Sequence, residues 1–376
     1  MNPPRLTRQP AFSISRFYCD AYAFAALSAV LLAGVSCTAL AQGDAPPGRL
    51  ITSLAIAVNP STHKVYAVNE GASTIVVMDE QTGATRAVKV GSGPISIAVN
   101  RATNKIYVAN TGSGSISVID GKQDTVIATV KGESHPYVLA VNEASNKVYV
   151  TNTYSDAVTV IDGETNTAQA LKVGSADGIA VDSIHNQLFL MSYEDPVIRV
   201  VDGASGAISK VPVGPHLWGI AFDESSRTLY LAHTGTADIV ALNGKTHEVR
   251  TIATGSIPCA VAVNSITQMV YAVNYGDETV SAIDAAKSKV VATLPAGKHP
   301  QAVAIDPVHN RVYVANVHGN SVTAIDGATN RVIGTFEAGS NPYALAVDPG
   351  AGDIYAANYG ESPLTAIDLS RLAVQR

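Results

Sequence analysis

Eight times along this chain an aliphatic residue is followed by an aromatic, a small apolar pair and, in most copies, Asn. The phrase reads VYAVN at 65–69, IYVAN at 106–110, VYVTN at 148–152 and LFLMS at 188–192. It continues as LYLAH at 229–233, VYAVN at 270–274, VYVAN at 312–316 and IYAAN at 354–358. Successive aromatics stand 40 to 42 residues apart. A fixed period of this size means tandem supersecondary units that bury their apolar faces on one another.

One copy, 94–131, shows what the unit is. The apolar run Ile95–Asn100 is followed by a polar turn, and the aromatic phrase Ile106–Asn110 by the Gly-rich turn Thr111–Gly114. The segment Ser115–Asp120 alternates polar and apolar, and after another turn Thr125–Lys131 is again β-branched. Four short strands, here a to d, are separated by turns, and no helical period intervenes.

Strand a carries Ala in every copy, at 57, 98, 140, 180, 221, 262, 304 and 346. So small a residue fits the crowded innermost strand of a ring. Two residues later stands Asn or Asp, from Asn59 to Asp348, and strand c ends in Asp79, Asp120, Asp162, Asp202, Asn243, Asp284, Asp326 and Asp368. One Asx per tight turn is turn chemistry, in which the side chain bonds backbone just downstream. A calcium loop would crowd several oxygens together.

These features predict an all-β fold, a single β-propeller of four-stranded antiparallel blades filling residues 50–376. Eight blades are expected, since a seven-bladed ring would leave a complete copy outside. Leu372–Gln375, or Leu50-Ile51, would supply the outermost strand of the last blade.

Residues 1–41 are of another kind. Arg5, Arg8 and Arg16 precede the apolar run Ala21–Ala33, and Ala39-Leu40-Ala41 is an A-x-A cleavage site, so this segment reads as a secretory signal peptide. Residues 42–49 are a Pro/Gly-rich lead-in. The expected address is periplasmic or extracellular, with no transmembrane segment left in the mature chain. Removing the leader leaves Cys259 alone, too few for a disulfide and expected to be a small buried apolar group. A net charge of -6 offers no basic surface for nucleic acid.

The phrase Tyr149-Val150-Thr151-Asn152, with Val-Ile-Asp-Gly at 160–163, is similar to the YVTN-type β-propeller repeat family. The resemblance covers 50–376. It implies a secreted, periplasmic or cell-surface propeller in a functionally mixed family, and it carries over no catalytic residue. More distant relatives include propeller lactonases, propeller lyases and the haem-binding propeller domain of nitrite reductases.

In a propeller the d–a and b–c connections share one rim. That rim collects the residues that depart most from the repeat: His135 and Tyr137, Asp177, Tyr193, His216 and Trp218, His233, His299 and Tyr343. The densest group, Asp177, Tyr193, His216, Trp218 and His233, falls in copies four and five. Loops on one rim of a rigid scaffold commonly carry function. The expectation is a monomeric binding or scaffold protein engaging a small molecule, glycan or protein there, with no cofactor and no metal. The alternatives are a lyase or lactone hydrolase with His216 or His233 as general base, and a redox-cofactor propeller of haem type. No G-x-S-x-G elbow, C-x-x-C-H haem attachment or P-loop is present.

Overall fold

Residues 53–360 and 362–370 are described by the computed structural model. The signal-peptide and lead-in expectations, and the proposed closing strands at 50–51 and 372–375, lie outside them. Every strand pairs antiparallel with its sequence neighbour. Seven sheets take four consecutive strands each, and the eighth has three among the described residues, Pro342–Asp348, Asp353–Asn358 and Leu364–Ala366.

Eight strands a form the inner ring: Ile56–Asn59, Pro94–Asn100, Pro136–Asn142, Gly178–Asp182, Leu217–Asp223, Pro258–Asn264, Pro300–Asp306 and Pro342–Asp348. Each packs beside the next, and the first packs beside the last, so the ring is closed. The protein is an eight-bladed β-propeller. The recurring Ala is half-buried in every blade, as expected of a strand that borders a central channel.

The core lies between blades. Tyr107 and Val118 of blade two pack with Leu139 and Val148 of blade three. At the closure, Tyr66 and Ile75 of blade one share a cluster with Tyr343 and Tyr355 of blade eight. The turns Glu70–Ala72, Thr111–Ser113 and Val317–Gly319 form single 3-10 turns where only irregular turns were expected. Each ends at a residue in the left-handed region, Ser73, Gly114 or Asn320.

The Asx residue that closes strand a does two jobs. Its side chain caps its own turn, as Asn142 Oδ1 accepts from the Ser145 N–H at 3.1 Å. It also ties blade to blade. Asn59 donates to Asn104 Oδ1 at 2.8 Å, Asn100 to Asn146 at 2.9 Å, Asn142 to Asn186 at 3.2 Å and Asn264 to Asn310 at 2.9 Å. Where the Asx is a carboxylate it accepts instead: Arg227 Nε donates to Asp182 and Gln268 Nε2 to Asp223, both at 3.1 Å. In each case the partner sits four residues after its own blade's Asx, at positive φ. All eight Asx side chains of strand a are buried, so the belt satisfies groups that would otherwise be costly to desolvate.

The Asp closing strand c is exposed or half-buried and caps the c–d turn. The N–H of Thr165 at 2.9 Å, the Thr165 hydroxyl and the N–H of Glu164 at 3.0 Å all donate to Asp162 Oδ1. These bonds hold its pKa below the usual carboxylate value, the Thr165 N–H contributing most. Asp120 and Asp202 are lowered the same way, chiefly by the N–H groups of Gln123 and Ser205. A lowered folded pKa gives stability that is present above the unfolded value, about 3.9, and is lost as pH falls through the folded one. Asp162→Asn keeps the turn, as Asn243 does in blade five. It is expected to melt below the wild type at pH 7 and together with it in strong acid. A melting-temperature gap that stays constant from pH 7 to pH 2 would contradict this.

Candidate functional site on the d–a and b–c rim

Strand pairing fixes which residues share the rim. Leu217 opposes His233, Pro136 opposes Asn152, Pro300 opposes Asn316 and Pro342 opposes Asn358. The residue before strand a therefore lies beside the b–c turn. That residue is His135, His216 or His299 in blades three, five and seven, always at positive φ. The left-handed backbone is uncommon for a non-Gly residue outside such turns, and here it places an imidazole against the rim.

Each of these imidazoles meets an aromatic. His135 packs edge-on to Tyr154 at 4.7 Å, while Tyr137 joins the apolar cluster between blades three and four. His299 stacks on Tyr275 at 4.9 Å and meets His318 edge-on at 4.3 Å, with the two Nδ1 atoms in hydrogen-bond contact. Tyr343 stacks on Tyr359 at 4.1 Å.

The group at blades four and five is assembled as follows. Tyr193, from the b–c turn of blade four, lies 5.2 Å from the His216 ring and meets Trp218 edge-on at 5.5 Å. Asp177 fixes that turn: its Oδ2 accepts from the Ser192 hydroxyl at 2.8 Å and from the Tyr193 N–H at 3.0 Å. The His216 N–H in turn donates to the Tyr193 carbonyl. Trp218 is seated where the inner strands of blades five and six approach closely. A Cβ at the adjacent Gly219 would lie 2.9 Å from Ala260 Cα and from the Cys259 carbonyl oxygen. Trp218 is 7% exposed, and its indole N–H has no acceptor. Gln301, at the same position of strand a in blade seven, is also buried with an unpartnered amide nitrogen.

His233 opposes Leu217 and lies beside the d–a loop leading into its own blade, where a Cβ at Gly214 would stand 2.8 Å from the ring. Its Nδ1 contacts the Thr236 hydroxyl at 2.8 Å and Asp238 at 3.2 Å, and the ring is 7% exposed. In blades two, six and seven the same position is Asn, donating to hydroxyls of strand c, as Asn110 does to Ser117 at 2.9 Å. His233 with Asp238 is thus a variant of a recurring structural pair. Cys259 is a free, buried thiol pushed up to about 12 by burial, which makes it a poor nucleophile. An open groove of about 580 Å³ lies beside His135, lined by residues such as Ser115, Lys131 and Glu133 and by none of the blade four and five group.

Some of the relevant positions sit where only ordinary turns were expected. On the a–b and c–d side, His63, Glu80 and Asp348 bring ligand atoms within 4.8 Å of one another. The signal was available in the repeat: Glu80 stands where other copies have Gly121, Gly163, Gly203 and Gly327.

Fold and rim together define an eight-bladed propeller that presents aromatic–imidazole clusters on one side. No protein-family model matches the chain, and no curated protein matches it. Among solved structures it is similar to Kuenenia stuttgartiensis hydrazine synthase, with a TM-score of 0.59 and 18% identity over 88% of this chain and 99% of that one. It is also similar to dihydro-heme d1 dehydrogenase NirN in complex with DHE, with a TM-score of 0.68 and 12% identity over 82% of this chain and 71% of that one. At these identities the likeness is one of fold. Among the described residues no helix is long and apolar enough to cross a membrane.

Proposed function

We propose that this chain is an exported, monomeric binding protein of the YVTN-type repeat family, and that it holds a neutral, hydroxyl-rich ligand such as a glycan at the rim between blades four and five. The observation that carries the reading is the indole N–H of Trp218, buried and without an acceptor. A buried donor left unpaired costs about 1–3 kcal/mol, and a ligand oxygen would recover that cost. Tyr193 and His216 add flat apolar and polar surface beside the indole. Asp177 supplies a carboxylate there, and the guanidinium of the nearby Arg199 is taken up by Asp195 and the Ser175 carbonyl, which favours a polyol over an anion. A general-base role for His233 draws less support, because its ring is held by Asp238 and Thr236.

Trp218 is the only Trp in the chain, so its fluorescence reports on the site directly. Titration with a glycan panel is expected to quench or shift that emission. Measured by calorimetry, since the variant lacks the fluorophore, Trp218→Phe, which removes the N–H donor together with the fused bicycle, is expected to weaken binding about tenfold. Trp218→Ala is expected to weaken it about a hundredfold. Binding that leaves the emission unchanged and tolerates Trp218→Phe would refute the assignment.

A further inference from the structure

The junction between blades eight and one departs from the inter-blade belt at two positions that face each other. Where blades two, three, four and seven have Asn at positive φ, blade one has His63. Where the same blades have Gly one residue beyond strand c, blade one has Glu80. Those glycines are required by their Asn partner: a Cβ at Gly121 would lie 2.1 Å from Asn104 Oδ1, and one at Gly163 2.2 Å from Asn146 Oδ1. The backbone is the same, since the Glu80 N–H donates to the His63 carbonyl at 2.9 Å as Gly121 does to Asn104 at 2.8 Å. An Asn/Gly pair has been exchanged for a His/Glu pair, and the third participant is Asp348, the Asx of blade eight.

The result is a buried pair of carboxylates with the Tyr355 hydroxyl beside Glu80. The Glu80 side chain is 6% exposed; the Tyr355 hydroxyl and the Asp348 carboxylate lie next to it, but neither of its oxygens meets a donor in good hydrogen-bond geometry. Asp348 is 2% exposed, is capped by the N–H groups of Gly350 and Ala351, and faces the Glu80 carboxyl. The other acidic Asx residues have side-chain donors: Arg227 for Asp182, Gln268 for Asp223 and His309 for Asp306. Among the described residues neither Glu80 nor Asp348 pairs with Lys or Arg. His63, more than half exposed, places Nδ1 3.9 Å from Glu80 Oε2.

We propose that His63, Glu80 and Asp348 form a divalent-cation site, best suited to zinc, that staples blade eight to blade one. One imidazole and two carboxylates are a zinc-type donor set, and bonds of about 2.0–2.2 Å would require the three groups to close in by about an ångström from their present spacing. The exposed edge at His63 leaves a fourth position for water. This site is on the opposite rim from Trp218 and is independent of the ligand reading.

The test is zinc titration of the full-length, EDTA-stripped protein by calorimetry and thermal melting. The wild type is expected to bind one equivalent at this site and to melt about 5 °C higher with zinc at a hundred times its dissociation constant. The pair His63→Asn/Glu80→Gly installs the combination that blades two, three, four and seven already carry, so it is expected to fold and to lose the equivalent. Glu80→Gln is expected to lose it too. The double variant His299→Ala/His318→Ala, which removes the imidazole pair of blade seven, is expected to keep it. No binding at sub-millimolar zinc, or an equivalent that survives both the His63→Asn/Glu80→Gly pair and Glu80→Gln, would overturn the proposal.

Discussion

Tyr107→Ala is expected to cost about 3–5 kcal/mol of stability, while Tyr107→Phe is expected to cost nothing and to gain up to about 1 kcal/mol. Tyr107 is fully buried between blades two and three. Its ring fills the blade interface, and truncation would leave a cavity in a close-packed layer. The hydroxyl is another matter. It has no hydrogen-bond partner, and burial pushes the phenol up to about 12. Removing an unsatisfied buried hydroxyl relieves a desolvation cost. Blade four shows that the position accepts a bare phenyl, since Phe189 occupies it, fully buried and stacked on Phe222 at 5.0 Å. Tyr149 is the contrast, because its hydroxyl donates to Asn186 Oδ1 at 3.3 Å. Tyr149→Phe is therefore expected to lose about 0.5–1 kcal/mol. Urea denaturation of the three variants checks the ordering. Equal losses in Tyr107→Phe and Tyr149→Phe would show that the hydroxyls play no distinguishable part.

Arg227→Ala is expected to cost about 3 kcal/mol. The Arg227 guanidinium donates to Asp182 at 3.1 Å, and the Asp182 side chain is 1% exposed. Removing Arg227 leaves Asp182 with the His185 ring and N–H as donors and forfeits a hydrogen bond to a charged group, about 1.5–3 kcal/mol. Ala must also adopt the positive φ that Arg227 holds, at about 1 kcal/mol. Arg227→Asn tolerates that backbone and offers an amide to Asp182, so it is expected to recover much of the loss. The double variant Asp182→Asn/Arg227→Asn recreates the pair that joins Asn142 to Asn186. It is expected to return close to the wild type. The comparison is a denaturation cycle, and an Arg227→Ala variant within about 0.5 kcal/mol of wild type would mean that this belt contact is dispensable.

What could be read from the sequence was what is local and repeated. The aromatic phrase, the Ala of strand a and the two Asx turns are set by neighbours within a few residues, and eight copies average away the noise. Strand d of blade two was placed at 125–131 and is found there. Strands a and b of that blade each begin one residue earlier than expected, at Pro94 and Lys105. The belt was hidden because Asn59 finds its partner 45 residues away in the next blade. No local rule connects them, although the Asn recurring four residues after the Asx was visible.

The candidate site was legible only as a list of departures from the repeat. Tyr193, His216 and Trp218 do come together. His233 departs equally in sequence, yet it pairs with Asp238 in place of the usual Asn and hydroxyl. Only coordinates separate a residue that leaves the pattern alone from one that leaves it together with a compensating neighbour. His63 and Glu80 illustrate the opposite error, since each looked like an ordinary turn residue until the Gly at the equivalent position was seen to require Asn beside it.

Each sheet is wound from consecutive strands, and only at the last junction do the two ends of the propeller meet. Nearly all of the molecule can thus assemble from near neighbours, with a single long-distance encounter to complete it. The entropy of that encounter grows only logarithmically with the length of chain between, so adding or deleting whole units of this size would alter the circumference while leaving the thermodynamic penalty of circularisation almost unchanged. The joint where circle becomes closed is accordingly the natural place for evolution to install a fastener without disturbing any other sector.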